Sequence, residues 1–285
     1  MKTTRAITIS ALNIAMHAPH SAQRYVDLLW ETRRSRRVVG LGELHGAMLG
    51  HLNGRKTYER GMILTGEIYR FVKIDPDMPW FDLTKSEAAT DDELAKINIP
   101  THLLPNLQRI EFCFLPDKHR LWFISKDRKD SLSPLVATKL FQTLLDFICS
   151  QINFPKVEVT AIPDSDSIET LLSTYRIDRI ELELVRPNPD DNHSTEARWK
   201  AKLERLNARK IRTEIAAANS DGLILNQEDK DDAKAIANNG SVRIVGSNAD
   251  GTKVDESTLN RPMRKPAVVD SAIETSLDVL LRHAN

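Results

Sequence analysis

Apolar positions recur along this chain with two periods, and they divide it into short strands and helices. Ala6 to Ile14 is a largely apolar run that reads as a strand entering the core early. Ser21 stands as an N-cap before a helix over 22–37, whose Tyr25, Val26, Leu28, Leu29 and Trp30 crowd one side. Residues 38–74 are rich in glycine, which disfavours helix, and two strands are expected near 38–51 and 62–74. The polar run Asn53-Gly54-Arg55-Lys56 is the expected turn between them. Ile110, Phe112 and Phe114 alternate with Glu111, Cys113 and Leu115, Pro116 to His119 turns, and Leu121 to Ser125 returns as a hairpin. Ser133-Pro134 opens a helix to about Ser150. Val157 to Ile162 reads as a strand, Ser167 to Thr174 as a short helix and Arg179 to Val185 as a strand.

The order is therefore β-α-β-β over 6–74 and β-β-α-β-α-β over 106–186. Short connections between such elements imply an α/β (α+β) fold, with mixed or antiparallel sheets and helices packed on one face. Tandem ferredoxin-like units are the expected arrangement, and one continuous mixed sheet is the alternative. Three segments are expected: 1–105, a basic β-α-β-β unit with an acidic connection; 106–217, a β-β-α-β-α-β unit ending in a basic helix; and 218–285, a polar, loosely packed region with a hairpin over 242–254 and a last helix over 271–282.

Charge changes this picture locally and not globally. Lys plus Arg equals Asp plus Glu, so no overall field draws in nucleic acid or a membrane. Residues 1–73 nevertheless hold 12 Lys/Arg against 5 Asp/Glu, and residues 74–100 hold 2 against 7, so a basic unit runs into an acidic connection. The first residues lack the apolar core of a secretory signal, and no uninterrupted apolar run approaches the ~18 residues of a membrane span. Cys113 and Cys149 are too few for a disulfide framework and have no metal-ligand spacing, which points to a reducing cytoplasm.

Candidate chemistry is sparse. Glu43, His45 and His51 have equal parity and would share one face of a strand, where a carboxylate and imidazoles could ligate a metal or move protons. His45 and His51 would still lie roughly 20 Å apart on an extended strand. Gly40-Leu41-Gly42 lacks the third glycine of a dinucleotide loop, because His45 takes its place. No metal, nucleotide or other cofactor is expected. Arg198, Lys202, Arg205, Arg209 and Arg212 recur at spacings of 4, 3, 4 and 3, which on a helix over 196–217 makes a stripe of about 80°. Trp199, Leu203 and Leu206 would face the core beside it. Such a stripe, helped by Arg33, Arg34, Arg36 and Arg37, would track the phosphate backbone of DNA or RNA. A solvated face, or docking on the acidic connection, are the other readings of the same cations.

Several short stretches are informative through their order along the chain. They are Gly66-Glu67-Ile68, Phe71-x-Lys73-Ile74-Asp75, Pro79-Trp80-Phe81, Ile97-Asn98-Ile99-Pro100, Pro105-Asn106-Leu107, Lys118-His119-Arg120-Leu121, Ser131-Leu132-Ser133-Pro134 and Arg186-Pro187-Asn188-Pro189-Asp190-Asp191, and together they resemble an uncharacterised bacterial family known as domain of unknown function 4747. The resemblance covers roughly residues 6–255. It implies a setting in mobile islands and prophages, where antiphage genes cluster, and it transfers no catalytic residues. The expected function is a nucleic-acid-associated protein of an antiphage or mobile-element system; in a nuclease form Glu43 and His45 would be its catalytic candidates. The alternative is a non-enzymatic sensor or partner subunit that meets a protein, encoded nearby, through the acidic connection and the C-terminal region.

Overall fold

One strand organises the molecule. In the computed structural model β1 (Thr4–Met16) buries Leu12, Ile14 and Met16 on one face, and Ile7 and Ile9 on the other. A strand apolar on both faces must be central, with neighbours on both edges. Residues 3–17, 19, 21–57, 61–74, 78–100, 102–185, 194–208 and 210–284 are described.

The remaining elements of the main layer follow in order: α1 (Ala22–Ser35), β2 (Val39–Leu41), β3 (His45–Thr57), β4 (Gly61–Val72), β5 (Phe81–Asp82), β6 (Glu87–Ala88), α2 (Asp91–Leu94), β7 (Gln108–Leu115), β8 (Arg120–Asp127), β9 (Asp130–Ser131), α3 (Pro134–Ile152) and β10 (Val157–Ala161). The second layer has α4 (Ser165–Leu172), β11 (Arg176–Val185), α5 (Ser194–Arg205), β12 (Lys210–Ala216), α6 (Gln227–Asn238), β13 (Gly240–Ser247) and β14 (Lys253–Ser257). The chain then returns to the first layer with β15 (Lys265–Asp270) and α7 (Ser276–His283).

The main sheet runs β10-β1-β8-β7-β4-β3-β2, and its neighbouring strands are antiparallel. β1 is long enough to serve two partners on one edge. Its first half pairs β15, from Thr4↔Asp270 to Ile9↔Lys265, and its second half pairs β10, from Leu12↔Ala161 to Met16↔Val157. Taken alone, β1-α1-β7-β8-α3-β10 is one ferredoxin-like β-α-β-β-α-β unit, its strands in the order fourth, first, third, second. Residues 36–107 are inserted after its first helix, and their β4, β3 and β2 widen the sheet.

This corrects the division at residue 105. β1 and α1 come from before that point, and their sheet partners β8 and β10 come from after it. The segments 1–105 and 106–217 are not a tandem pair of units, because β1 satisfies its two edges only with strands more than a hundred residues away. The turn expected at Asn53–Lys56 is not there: these residues continue β3 and pair with β4, from Asn53↔Thr65 to Lys56↔Met62.

α1 and α3 cover one face of the main sheet. Ser21 caps α1 and Ser133 caps α3, with Pro134 in the first turn where no donor is needed. Leu28, Leu29, Leu140, Phe141, Leu144 and Leu145 meet Phe112, Phe114 and Phe123 from the sheet. α3 is long and apolar enough, by length and composition, to cross a membrane. Its inner face, however, is the core of this layer, and the exposed Lys139 and Asp146 interrupt its outer face. α7 covers part of the opposite face, where Val279 and Leu280 pack with Ile7, Ile9 and Ile124.

The second sheet runs β12-β11-β13-β14. Ile168, Leu171, Leu203, Ala233 and Ile236 from α4, α5 and α6 pack on Ile180, Leu184, Val242 and Ile244. Residues 218–285 are therefore not a loose tail. They supply the central strand β13, the buried helix α6, and two elements of the main layer. Polar residues misled the reading because they act at helix starts: Asn226 and Thr275 each close a capping box. The helix start moves accordingly, from residue 271 to Ser276, and the hairpin expected over 242–254 is β13–β14.

Both cysteines are free and buried, on opposite sides of the main sheet: Cys113 packs with Ile7 and Val279, Cys149 with the α1–α3 layer. Burial pushes the Cys113 thiol up to about 12 and the Cys149 thiol up to about 11. Native protein should thus react slowly with thiol reagents at mild alkaline pH. A folded-state value above the unfolded one stabilises the fold fully below the unfolded value and is lost as pH rises through the folded one. Stability should fall from about pH 9 to about pH 12, and the fall should be shallower in Cys113→Ala, measured by urea titration at each pH.

Candidate functional site

The five-cation stripe does not exist as one helix. α5 stops at Arg205, because Asn207 adopts a left-handed conformation (φ 48°) and the Ala208 N–H closes back on the Leu203 carbonyl at 2.9 Å. The chain then re-emerges as β12, where Ile211, Thr213 and Ile215 alternate. The cations had helical spacing, but the β-branched residues between them have strand spacing, and pairing with β11 decides for the strand.

The cations that remain are largely neutralised. Arg198 reaches Glu228 and Asp232 on α6, and the Trp199 indole N–H donates to Asp232 at 2.9 Å. Lys202 lies over the Trp199 ring, 4.6 Å from its centroid. Arg212 sits on the outer face of the second sheet, 2.9 Å from the buried Glu181, which also meets Arg179 and Arg243. Arg205 is exposed and has no partner among the described residues. Arg209 lies outside the described residues, as does the Arg186 to Asp191 run. Leu203 is buried as expected, whereas Leu206 is half exposed.

The arginines at the end of α1 stay together. Arg37 stacks on the Phe147 ring at 3.9 Å, and Arg34 pairs with Glu31. Arg33 is half-buried and Arg36 exposed, and neither has a side-chain partner among the described residues. They follow the helix C-terminus, where cations complement the dipole.

Glu43 and His45 are not a strand pair. Glu43 lies in the turn between β2 and β3, and His45 is the first residue of β3. A register shift between Leu49 and Leu52 moves the alternation by one, so Ala47, Leu49 and Leu52 all enter the same core. His51 consequently turns to the face opposite His45 and is exposed. No group of three or more His, Cys, Asp or Glu is placed to hold a metal ion among the described residues.

The acidic connection presents the most unusual surface. β5 and β6 form a small hairpin, and α2 follows with a capping box between Thr90 and Glu93. Lys85 bridges from the hairpin to Glu93 and Asp82. The Lys85 ammonium, with donors from Thr90, holds the Glu93 carboxyl down to about 2. This frame displays apolar side chains to water: Leu83 is 85% exposed, Phe81 63% and Leu103 54%. Beside them Ile74, Trp80, Leu94, Ile97, Ile99 and Leu103 line a cavity of about 190 Å³. Glu87, Asp91 and Asp92 are exposed along the hairpin and helix. The sequence signal was present, as apolar residues with no helical or strand period among acids, but such a run reads as a loop until its exposure is known.

Fold and surface together define a mixed α/β protein: a ferredoxin-like sheet, widened by an insertion that exposes both apolar and acidic side chains. The chain belongs to the family described as a domain of unknown function, DUF4747, whose model matches residues 5–285. No curated protein matches it.

Proposed function

We propose that this protein is a partner or sensor subunit that captures a basic, amphipathic segment of another protein on the surface formed by residues 78–107. The single observation behind this reading is the group of large apolar side chains that the insertion leaves in water, Leu83, Phe81 and Leu103 foremost. Ile97, Ile99 and Leu103 also line one apolar cavity, and exposed apolar surface of this kind marks interaction sites. Protein interfaces have this anatomy, an apolar centre inside a polar rim. Here the rim is acidic, so complementary charge on the partner is basic and speeds its approach. The mobile-island setting implied by the family resemblance suits a subunit of this kind in an antiphage system.

A second reading rests on Arg33, Arg36 and Arg37. Among the described residues no carboxylate pairs with them, and they could hold a DNA or RNA backbone. The open face of a four-stranded ferredoxin-like sheet is a common platform for single-stranded RNA. In this chain α7 occupies part of that face.

One purification from the source cells separates these readings. Wild type is compared with Leu83→Glu combined with Leu103→Glu, two exposed positions whose substitution should change stability by no more than about 0.5 kcal/mol each. After nuclease treatment, wild type should retain a stoichiometric protein that the double variant retains at least about tenfold less. Equal recovery with both proteins would refute the docking surface. Nucleic acid that co-purifies without nuclease, and is lost in Arg36→Glu, would establish the second reading.

A further inference from the structure

We propose that the cavity beside His45 is a binding site for a terminal phosphoryl group. It has a volume of about 170 Å³ and opens where the ends of β3, β4 and β7 meet the β8–β9 turn. Its polar lining is His45, Arg70, Asn106, Gln108 and Lys129. Among the described residues no carboxylate lines it, so its cations are not balanced from within.

Arg70 carries the argument. Its Nη1 donates to Gln108 Oε1 at 3.2 Å and to the Ser131 carbonyl at 2.9 Å, which fixes the guanidinium plane. Its Nε is enclosed by protein and has no hydrogen-bonding partner among the described residues. The guanidinium is always charged, so where Arg70 lines the cavity it presents a cation that no lining carboxylate balances. Gln108 is a positioning residue: its amide also donates to the Lys129 carbonyl at 3.4 Å and so holds the turn that carries Lys129. The Lys129 side chain is exposed and has no ion-pair partner among the described residues. His45 offers a donor in either protonation state, and Asn106 adds an amide.

Two cations and neutral donors without a carboxylate select an anion, and the planar fork of arginine suits a tetrahedral oxyanion. Size narrows the class. Pockets for drug-sized ligands start at about 300 Å³. This one takes a phosphoryl group while anything attached to it stays outside. Free phosphate and a terminal phosphate monoester present that group with the fewest flanking atoms, and they are the ligands proposed. This site does not depend on the docking surface proposed above, and its test uses different residues.

The test is calorimetric titration of the full chain with inorganic phosphate in low-chloride buffer. Arg70 also ties β4 to Ser131, so its variants risk misfolding; Lys129→Glu, at an exposed turn, and His45→Gln are used instead. Wild type should bind phosphate saturably, and Lys129→Glu, with an unchanged circular dichroism spectrum, should bind at least about tenfold more weakly. His45→Gln should weaken binding less, because glutamine still donates. Absence of saturable binding at millimolar phosphate would overturn the proposal. So would equal affinity in the folded Lys129→Glu protein, or an equal response to chloride at matched ionic strength. A terminally phosphorylated oligonucleotide and its hydroxyl-ended counterpart then identify the source. Tighter binding of the phosphorylated one, lost in Lys129→Glu, assigns the site to a polynucleotide end; equal binding of the two assigns it to small phosphates.

Discussion

Truncating Phe141 to alanine should lower the unfolding free energy by about 3–5 kcal/mol, the usual cost of deleting a buried aromatic ring. Phe141 is fully buried on the inner face of α3. Its ring stands edge-on to Phe112 of β7, with centroids 6.1 Å apart and planes at 79°. The pair joins the helical layer to a central strand, and a hole there is lined by Phe112, Leu144 and other side chains too tightly held to collapse into it. Chemical denaturation read by circular dichroism gives the difference. Leu135→Ala on the same helix is the control: Leu135 is half exposed, so its loss should cost far less. Costs of similar size at the two positions would mean that α3 does not pack as described.

Gly240→Ala and Gly246→Ala should each destabilise by about 1–3 kcal/mol or more, the range for overpacked sites. Alanine in a strand is ordinarily better than glycine by roughly 0.5–1 kcal/mol, so the expected sign is reversed. The reason is close approach of two backbones. An ideal Cβ at Gly240 would lie 1.9 Å from the Glu183 carbonyl oxygen, and one at Gly246 would lie 2.0 Å from that of Arg176. Both obstacles belong to β11, the paired strand, and a backbone cannot swing aside as a side chain can. Ser241→Ala, one residue from Gly240, is the matched control and should be nearly neutral. If both glycine variants are as stable as wild type, the pairing of β11 with β13 is wrong in register.

Local chemistry made several elements readable from the sequence. Ser21 and Ser133-Pro134 start α1 and α3 where they were expected, because a cap needs only the next three residues. The β7–β8 hairpin was legible for the same reason: Ile110, Phe112 and Phe114 at every second position of the first arm, and a short turn that ends with His119 in a left-handed conformation. The family resemblance rested on short motifs in order, and the match over residues 5–285 bears it out.

The tertiary structure decided everything that depends on pairing at a distance. Nothing near β1 says that β8 and β10 flank it, or that β15 returns from the far end of the chain to share its edge. The Arg198 to Arg212 spacing was equally true of a helix and misleading for a helix-turn-strand, until the open edge of β11 took residues 210–216 as a partner. One register shift in β3 separated His45 from His51 and left His45 beside Arg70 and Lys129, residues 25 and 84 positions further along. Capping, alternation and turn chemistry act over a few residues and are written in the sequence. Strand edges are satisfied by whatever partner the whole chain brings to them, and in this protein those edges fixed the sheet, the charge layout and the neighbours of His45.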